Sequence, residues 1–215
     1  MSKSKAEFQV ERIAFFSDAV IAIAITLLVL EIKIEPFGLE VTPFAAFIEF
    51  LQLIPHFIGV IVSFFLISMH WRRHHQLFGE LVNYDSKLIT LNFTTLLAII
   101  FLPFSTGFIA INYRRFWTEP LTLPFVIYMV NNLACAFTSY RLFNYVLKAR
   151  VPLFPEKSRP MLVRSKYEIL YAVLVFLVIT VVGIFNHLIA LPFFALFAFE
   201  PLFLKWALKG KNDEA

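Results

Sequence analysis

Between Ala19 and Leu30 the chain carries no charge and a single hydroxyl, that of Thr26. Several further runs reach the roughly 20 apolar residues that carry a helix across a bilayer. No constraint on the fold is stronger. Backbone groups facing hydrocarbon have no water to bond, so each such run must satisfy its own N–H and C=O groups as a helix. The composition agrees: 60% of residues are hydrophobic, 27 are phenylalanine, and only 16% are charged. A water-soluble domain carries about a quarter charged residues.

The apolar pattern predicts an all-α membrane protein of six helices, over 12–33, 43–71, 86–110, 120–147, 166–186 and 188–207. Thr42-Pro43 suits the start of the second, a capping hydroxyl followed by proline at the first helical position. Little chain separates the fifth from the sixth, which predicts a tight antiparallel hairpin. The proline-rich, basic segment 148–165 reads as a surface loop. No soluble domain and no internal repeat of the six-helix unit is visible, so 1–215 reads as one domain. No small-residue cleavage site follows the first apolar run, which argues against a removable signal peptide. Cys135 stands alone, so no intrachain disulfide can form and a packed thiol is expected.

Net charge is +4, but the basic residues lie between apolar runs, where membrane topology rather than nucleic acid accounts for them. With the N-terminus inside, only Lys33, Arg114 and Arg115 of the 19 lysines and arginines fall outside. Both termini and the 148–165 loop are then cytoplasmic. The stretches at Arg114–Trp117 and Lys205–Trp206 read as interfacial anchors.

Polar residues inside such a chain are the candidates for function. Asp18 sits about one turn inside the inner end of the first helix, where an unpaired carboxylate is expensive. The second helix ends in His70-Trp71-Arg72-Arg73-His74-His75, and the third begins near Asp85. Ser17 and Asp18 are therefore expected to bond to groups such as His70, Trp71, Arg12 or Asn92, tying three helices together. A proton relay is the competing use. The spacing of His70, His74 and His75 supplies at most two metal ligands from one helix, with no cysteine or acid placed beside them, so no metal is expected. Glu49, Gln52 and Glu200 read as interfacial groups. No nucleophile elbow, zinc-protease pairing, phosphate loop or intramembrane pair of acids is present, so the sequence points to neither an enzyme nor a cofactor. A carbonyl filter of the TVGYG kind and a voltage-sensor arginine repeat are also missing.

The stretch Arg12–Ile32, with Arg12, Phe16, Ser17 and Asp18, closely resembles the first-helix signature of the transmembrane protein 175 family of potassium channels. His70–Phe78 and Leu91–Thr106 fit the same family. The resemblance implies a passive potassium channel without a carbonyl filter, its pore lined by the first helix. Animal members hold two six-helix repeats. The single repeat here resembles the prokaryotic form, which implies a homotetramer in the plasma membrane with K+ as permeating ion. At about 100° per residue, Ala19, Ile23, Thr26, Leu30 and Ile34 share one stripe, with Leu27 beside it and Ile25 and Val29 away from it. The stripe alone reads better as an ordinary packing face. The resemblance makes Ile23, Thr26, Leu27 and Leu30 the expected constriction and places Asp18 in the knot that holds the helix. Two alternatives remain open: a proton leak, and a secondary cation transporter using Asp18 and the inner histidines.

Overall fold

A computed structural model describes residues 5–33, 41–112 and 122–212. Ile34, Arg114, Arg115 and Trp117 lie outside the described residues. Helix α1 (Lys5–Leu27) passes directly into a 3₁₀ turn, Leu28–Glu31. Then follow α2 (Pro43–Leu51), α3 (Ile54–Glu80), α4 (Ser86–Ile100), α5 (Leu102–Ile111) and α6 (Leu123–Lys148). The chain ends with α7 (Arg159–Phe185), α8 (His187–Ala190), a 3₁₀ stretch Leu191–Phe199 and α9 (Glu200–Asn212). No strand occurs among the described residues.

Proline and its neighbours explain the breaks. Thr42 caps α2 as expected, its Oγ1 accepting from the N–H of Ala45 at 3.3 Å, with Pro43 opening the helix. Pro55 and Pro103 lack the N–H that would continue a helix, and so mark restarts at Ile54 and Leu102. Consequently the second and third spans are each two helices end to end.

Five described stretches are long and apolar enough to cross a membrane: Lys5–Glu31, Pro43–Glu80, Ser86–Ile111, Glu156–Phe185 and His187–Lys209. The remaining long helix, α6, runs unbroken for 26 residues, but Asn131 and Asn132 interrupt its apolar sequence. Those amides turn inward. Asn131 Nδ2 donates to the Ala98 carbonyl at 2.8 Å and its Oδ1 accepts from Ser105 Oγ at 3.0 Å. Asn132 Nδ2 donates to the Tyr128 carbonyl at 2.8 Å. Nearby, Ser63 Oγ bonds with Thr106 Oγ1 at 2.7 Å and with Tyr128 Oη at 2.9 Å. A polar seam thus runs through α3, α5 and α6, each hydroxyl spent on protein rather than on lipid. Its members are ordinary helix residues in the sequence, and nothing there marked them as one network.

The connection before the last two spans differs from the sequence reading. The 148–165 segment is not wholly a loop, because α7 begins at Arg159 with Pro160 in its first turn and an Arg164–Glu168 pair at 3.1 Å along its surface. Nor is the segment purely superficial. Leu153 and Phe154 are buried, and the Leu153 carbonyl accepts from Val82 N at 2.8 Å, fastening the connection to the α3–α4 turn. The expected hairpin between the last two spans does form. Asn186 separates α7 from α8, its side chain accepting from Leu188 N and Ile189 N. Tyr171 then reaches back to the Leu196 carbonyl at 2.6 Å.

Packing divides into three apolar clusters. One joins Val10, Leu77, Phe78, Leu88, Leu142, Phe143 and Leu162 at the end where α1 begins. A second holds Ile21, Ala24 and Leu28 of the first span against Ile67, Leu96, Ile99, Leu102 and the free, buried Cys135. The third packs α6 on α7 through Phe125, Met129, Phe176 and Ile179.

Gly183 of α7 supports the Phe125 ring so closely that an added Cβ would stand 2.5 Å from Cε1, whereas a Cβ at Gly79 meets nothing within 4 Å. Gly183→Ala should therefore destabilise by about 1–3 kcal/mol through overpacking. Gly79→Ala should gain up to about 1 kcal/mol of helix propensity. Thermal unfolding of the two variants in one detergent reads the opposite signs.

Candidate functional site

The first span has two unlike faces, and its rotation is set by polar groups rather than by hydrophobic contact alone. Ser17, fully buried, donates from Oγ to the Ile13 carbonyl at 2.8 Å and accepts from Asn92 Nδ2 at 2.9 Å. Asn92, also fully buried, meets His74 Nε2 with its Oδ1 at 2.7 Å. An amide oxygen only accepts, so this contact puts the His74 proton on Nε2. The His74 ring lies flat on Phe78, with centroids 4.3 Å apart. Beside this chain of bonds, Asp18 Oδ1 accepts from Trp71 Nε1 at 2.9 Å. Asp18 Oδ2 lies 3.7 Å from His75 Nδ1, and the His75 ring stacks on Trp71. Phe16 meets Phe93 edge to face at 5.9 Å. Helices α1, α3 and α4 are joined at one level.

Of the residues expected in this knot, Ser17, Asp18, Trp71, Asn92 and Phe16 come together. His70 is buried one turn away on α3, and Arg12 is exposed on α1, so Asp18 pairs with neither. His74 and His75 take those places. Helical spacing carried the signal, since positions three and four beyond Trp71 share its face. Because His74 turns to Asn92 and His75 to Asp18, the three histidines do not converge. Among the described residues no metal-binding group of three side chains gathers. A cleft of about 380 Å³ opens beside the knot, lined by Glu7, Glu11, Phe15, Asp18, His75 and Val82 among others.

The opposite face of the first span is apolar and uncovered. Ile23 is 59%, Leu27 41% and Leu30 69% exposed, and Thr26 is exposed beside them. Thr26 Oγ1 donates to the Ile23 carbonyl at 2.8 Å, so its oxygen lone pairs remain available outward. Ile25 is half-buried against the second cluster, as its angle predicts. Val29 departs from expectation: it is exposed, on the side of the span that Ala22, seven residues earlier, also leaves uncovered. In a 3₁₀ turn residues three apart eclipse one another, which draws Leu27 and Leu30 into one column and Leu28 and Glu31 into another.

These features define a polytopic helical membrane protein whose first span is locked by a polar knot on one side and left bare on the other. Residues 12–103 match the family model described as endosomal/lysosomal potassium channel TMEM175. Over 110 residues the chain is 34% identical to a protein named as a potassium channel from Chamaesiphon minutus, covering 51% of this chain and 54% of that one. Over 103 residues it is 36% identical to another so named from Streptomyces collinus, covering 46% and 47%. The chain thus spans about half the length of the curated relatives it matches. The fold is similar throughout to the crystal structure of a lysosomal potassium-selective channel TMEM175 homolog from Chamaesiphon minutus. That match has a TM-score of 0.74 at 25% identity, covering 91% of this chain and 98% of that one. It is also similar in fold to a single-substitution variant of the potassium channel MtTMEM175, crystallised with a nanobody fusion protein. There the TM-score is 0.66 at 20% identity, over 94% and 93% of the two chains. Over residues 12–103 the chain is thus similar to the TMEM175 family, and its overall fold is similar to that of TMEM175 channels of known structure.

Asn92→Ala should leave Ser17 and His74 with buried, unanswered polar atoms, at a cost of about 1–3 kcal/mol. Arg12→Ala, on the exposed side, should stay within about 0.5 kcal/mol. Melting curves of the purified variants check the contrast.

Proposed function

We propose that this protein is a potassium-selective channel, a homotetramer in which the uncovered face of the first span lines the ion path. One observation carries the reading. The chain buries Ser17, Ile21, Ala24 and Leu28 in its own interior yet leaves Ile23, Thr26, Leu27 and Leu30 bare. An apolar stripe on a span with a fixed rotation is available to copies of itself, and closed cyclic symmetry is the ordinary way one repeated interface assembles. Four such stripes around an axis make rings of branched side chains with one ring of hydroxyls at Thr26. An ion passing rings of this kind sheds much of its water, and K+ gives up water more readily than Na+. Selectivity then needs no carbonyl filter. The relatives that carry the name potassium channel support the same ion. The distribution of lysine and arginine supports cytoplasmic termini, and the relatives from Chamaesiphon minutus and Streptomyces collinus support a prokaryotic plasma membrane.

Reconstituted liposomes under opposed K+ and Na+ gradients test this. The wild-type protein should hold a reversal potential near that of K+. Ile23→Ala should widen a ring and move the potential toward Na+. Ile25→Ala, turned into the subunit, should lose up to about 2–5 kcal/mol of packing and keep its selectivity. A shift in Ile25→Ala with none in Ile23→Ala would turn the wrong face to the pore.

A further inference from the structure

The outer end of the first span rests on a contact that the channel reading does not use. Glu31, last residue of the 3₁₀ turn, lays its side chain on Gly107 of α5. A Cβ at position 107 would stand 1.8 Å from Glu31 Oε2, 2.7 Å from Cδ and 3.2 Å from Cγ. The glutamate therefore fills the place a side chain at 107 would occupy. Gly107 is itself buried in the middle of a helix, where glycine is a much poorer helix former than alanine. Helix stability thus gives no reason for it, and the close approach of Glu31 does.

The turn gives this contact a consequence for the ion path. In α geometry Leu30 stands about 60° around the axis from Leu27, and in 3₁₀ geometry the two eclipse. The same tightening places Glu31 in the column of Leu28, which is buried, and so against α5. Seating Glu31 on Gly107 and aligning Leu30 with Leu27 are one conformational choice.

We propose that Gly107 and Glu31 form a lock that holds the 3₁₀ turn and thereby sets the outermost ring of the constriction, at Leu30. Both are positioning residues, acting through the rotation of Leu30. The inference rests on the proposed pore face, and the experiment separates the two. Wild type, Gly107→Ala, Glu31→Ala and the double variant are reconstituted, and the K+/Na+ reversal potential is measured for each. Either single change opens the lock, so each should lower the permeability ratio at least about threefold. The double variant should fall no further than the singles, a non-additivity expected of two residues acting through one contact. Thermal stability of Gly107→Ala should fall less than that of Gly183→Ala, since the atoms in the way are the end of the flexible Glu31 side chain, which can swing aside, rather than a packed ring. Should that variant fail to assemble, Glu31→Ala, which removes atoms rather than adding them, carries the test alone. Wild-type selectivity in Glu31→Ala, or additive losses in the double variant, would overturn the lock. A wild-type protein with no K+-selective potential would instead overturn the channel reading beneath it.

Discussion

The amide of Asn92 is the point on which the architecture turns. It is fully buried, donates from its N–H to Ser17 on α1 and accepts with its oxygen from His74 on α3. In hydrocarbon, side chains that are all apolar pack almost as well after a small rotation of the helix as before it. Lipid offers little penalty against such slippage, since tails are as apolar as leucine. Hydrogen bonds with fixed directions do penalise it. One buried amide with both ends committed therefore fixes the rotation of the first span. Asp18, held by Trp71 and flanked by His75, sets the same rotation from the adjoining side.

Fixing that rotation decides what the rest of the span presents. Ile21, Ala24 and Leu28 follow Ser17 along the inward face and complete the second apolar cluster. Ile23, Thr26, Leu27 and Leu30 are then left exposed on the other side of the span. At the far end the backbone tightens, and Glu31 settles on Gly107. The span is held at both ends, by hydrogen bonds near Ser17 and by close packing near Glu31. Between them lies a stretch with one hydroxyl, whose hydrogen is already used on the Ile23 carbonyl. The acid at the entrance of the apolar helix and the helix's avoidance of polarity are parts of one arrangement: polarity positions the helix, and apolarity forms the bare face proposed to line the ion path.

Much of this was legible in the sequence, because its strongest signals are long. Apolar runs near bilayer length mark the spans, and Thr42-Pro43 marks a helix start, since these depend on local chemistry alone. The knot was legible in part. Ser17, Asp18, Trp71 and Asn92 could be matched by depth, but depth does not choose among His70, His74 and His75, which differ by rotation about α3. The polar seam of Ser63, Thr106, Tyr128 and Asn131 stayed hidden because scattered hydroxyls and amides in helices have no distinctive spacing. Leu153 and Phe154 read as loop residues because two prolines flank them, although a backbone bond to Val82 folds them into the core. The turn to 3₁₀ at Leu28 was invisible for a different reason. It depends on room beside α5, which a glycine 76 positions after Glu31 supplies.

Thiol accessibility along the first span tests the central claim most directly. Leu28 and Leu30 are two residues apart at nearly one depth, one buried in the chain's own core and the other bare. Cys135 is itself buried, so the background to added thiol reagents is low. Leu30→Cys and Leu28→Cys are each reconstituted, and K+ current is recorded while a cationic, water-soluble methanethiosulfonate is added. The account predicts rapid, irreversible block of Leu30→Cys, slowed by high K+, with current through Leu28→Cys unaffected. Block of Leu28→Cys while Leu30→Cys conducts unchanged would contradict it.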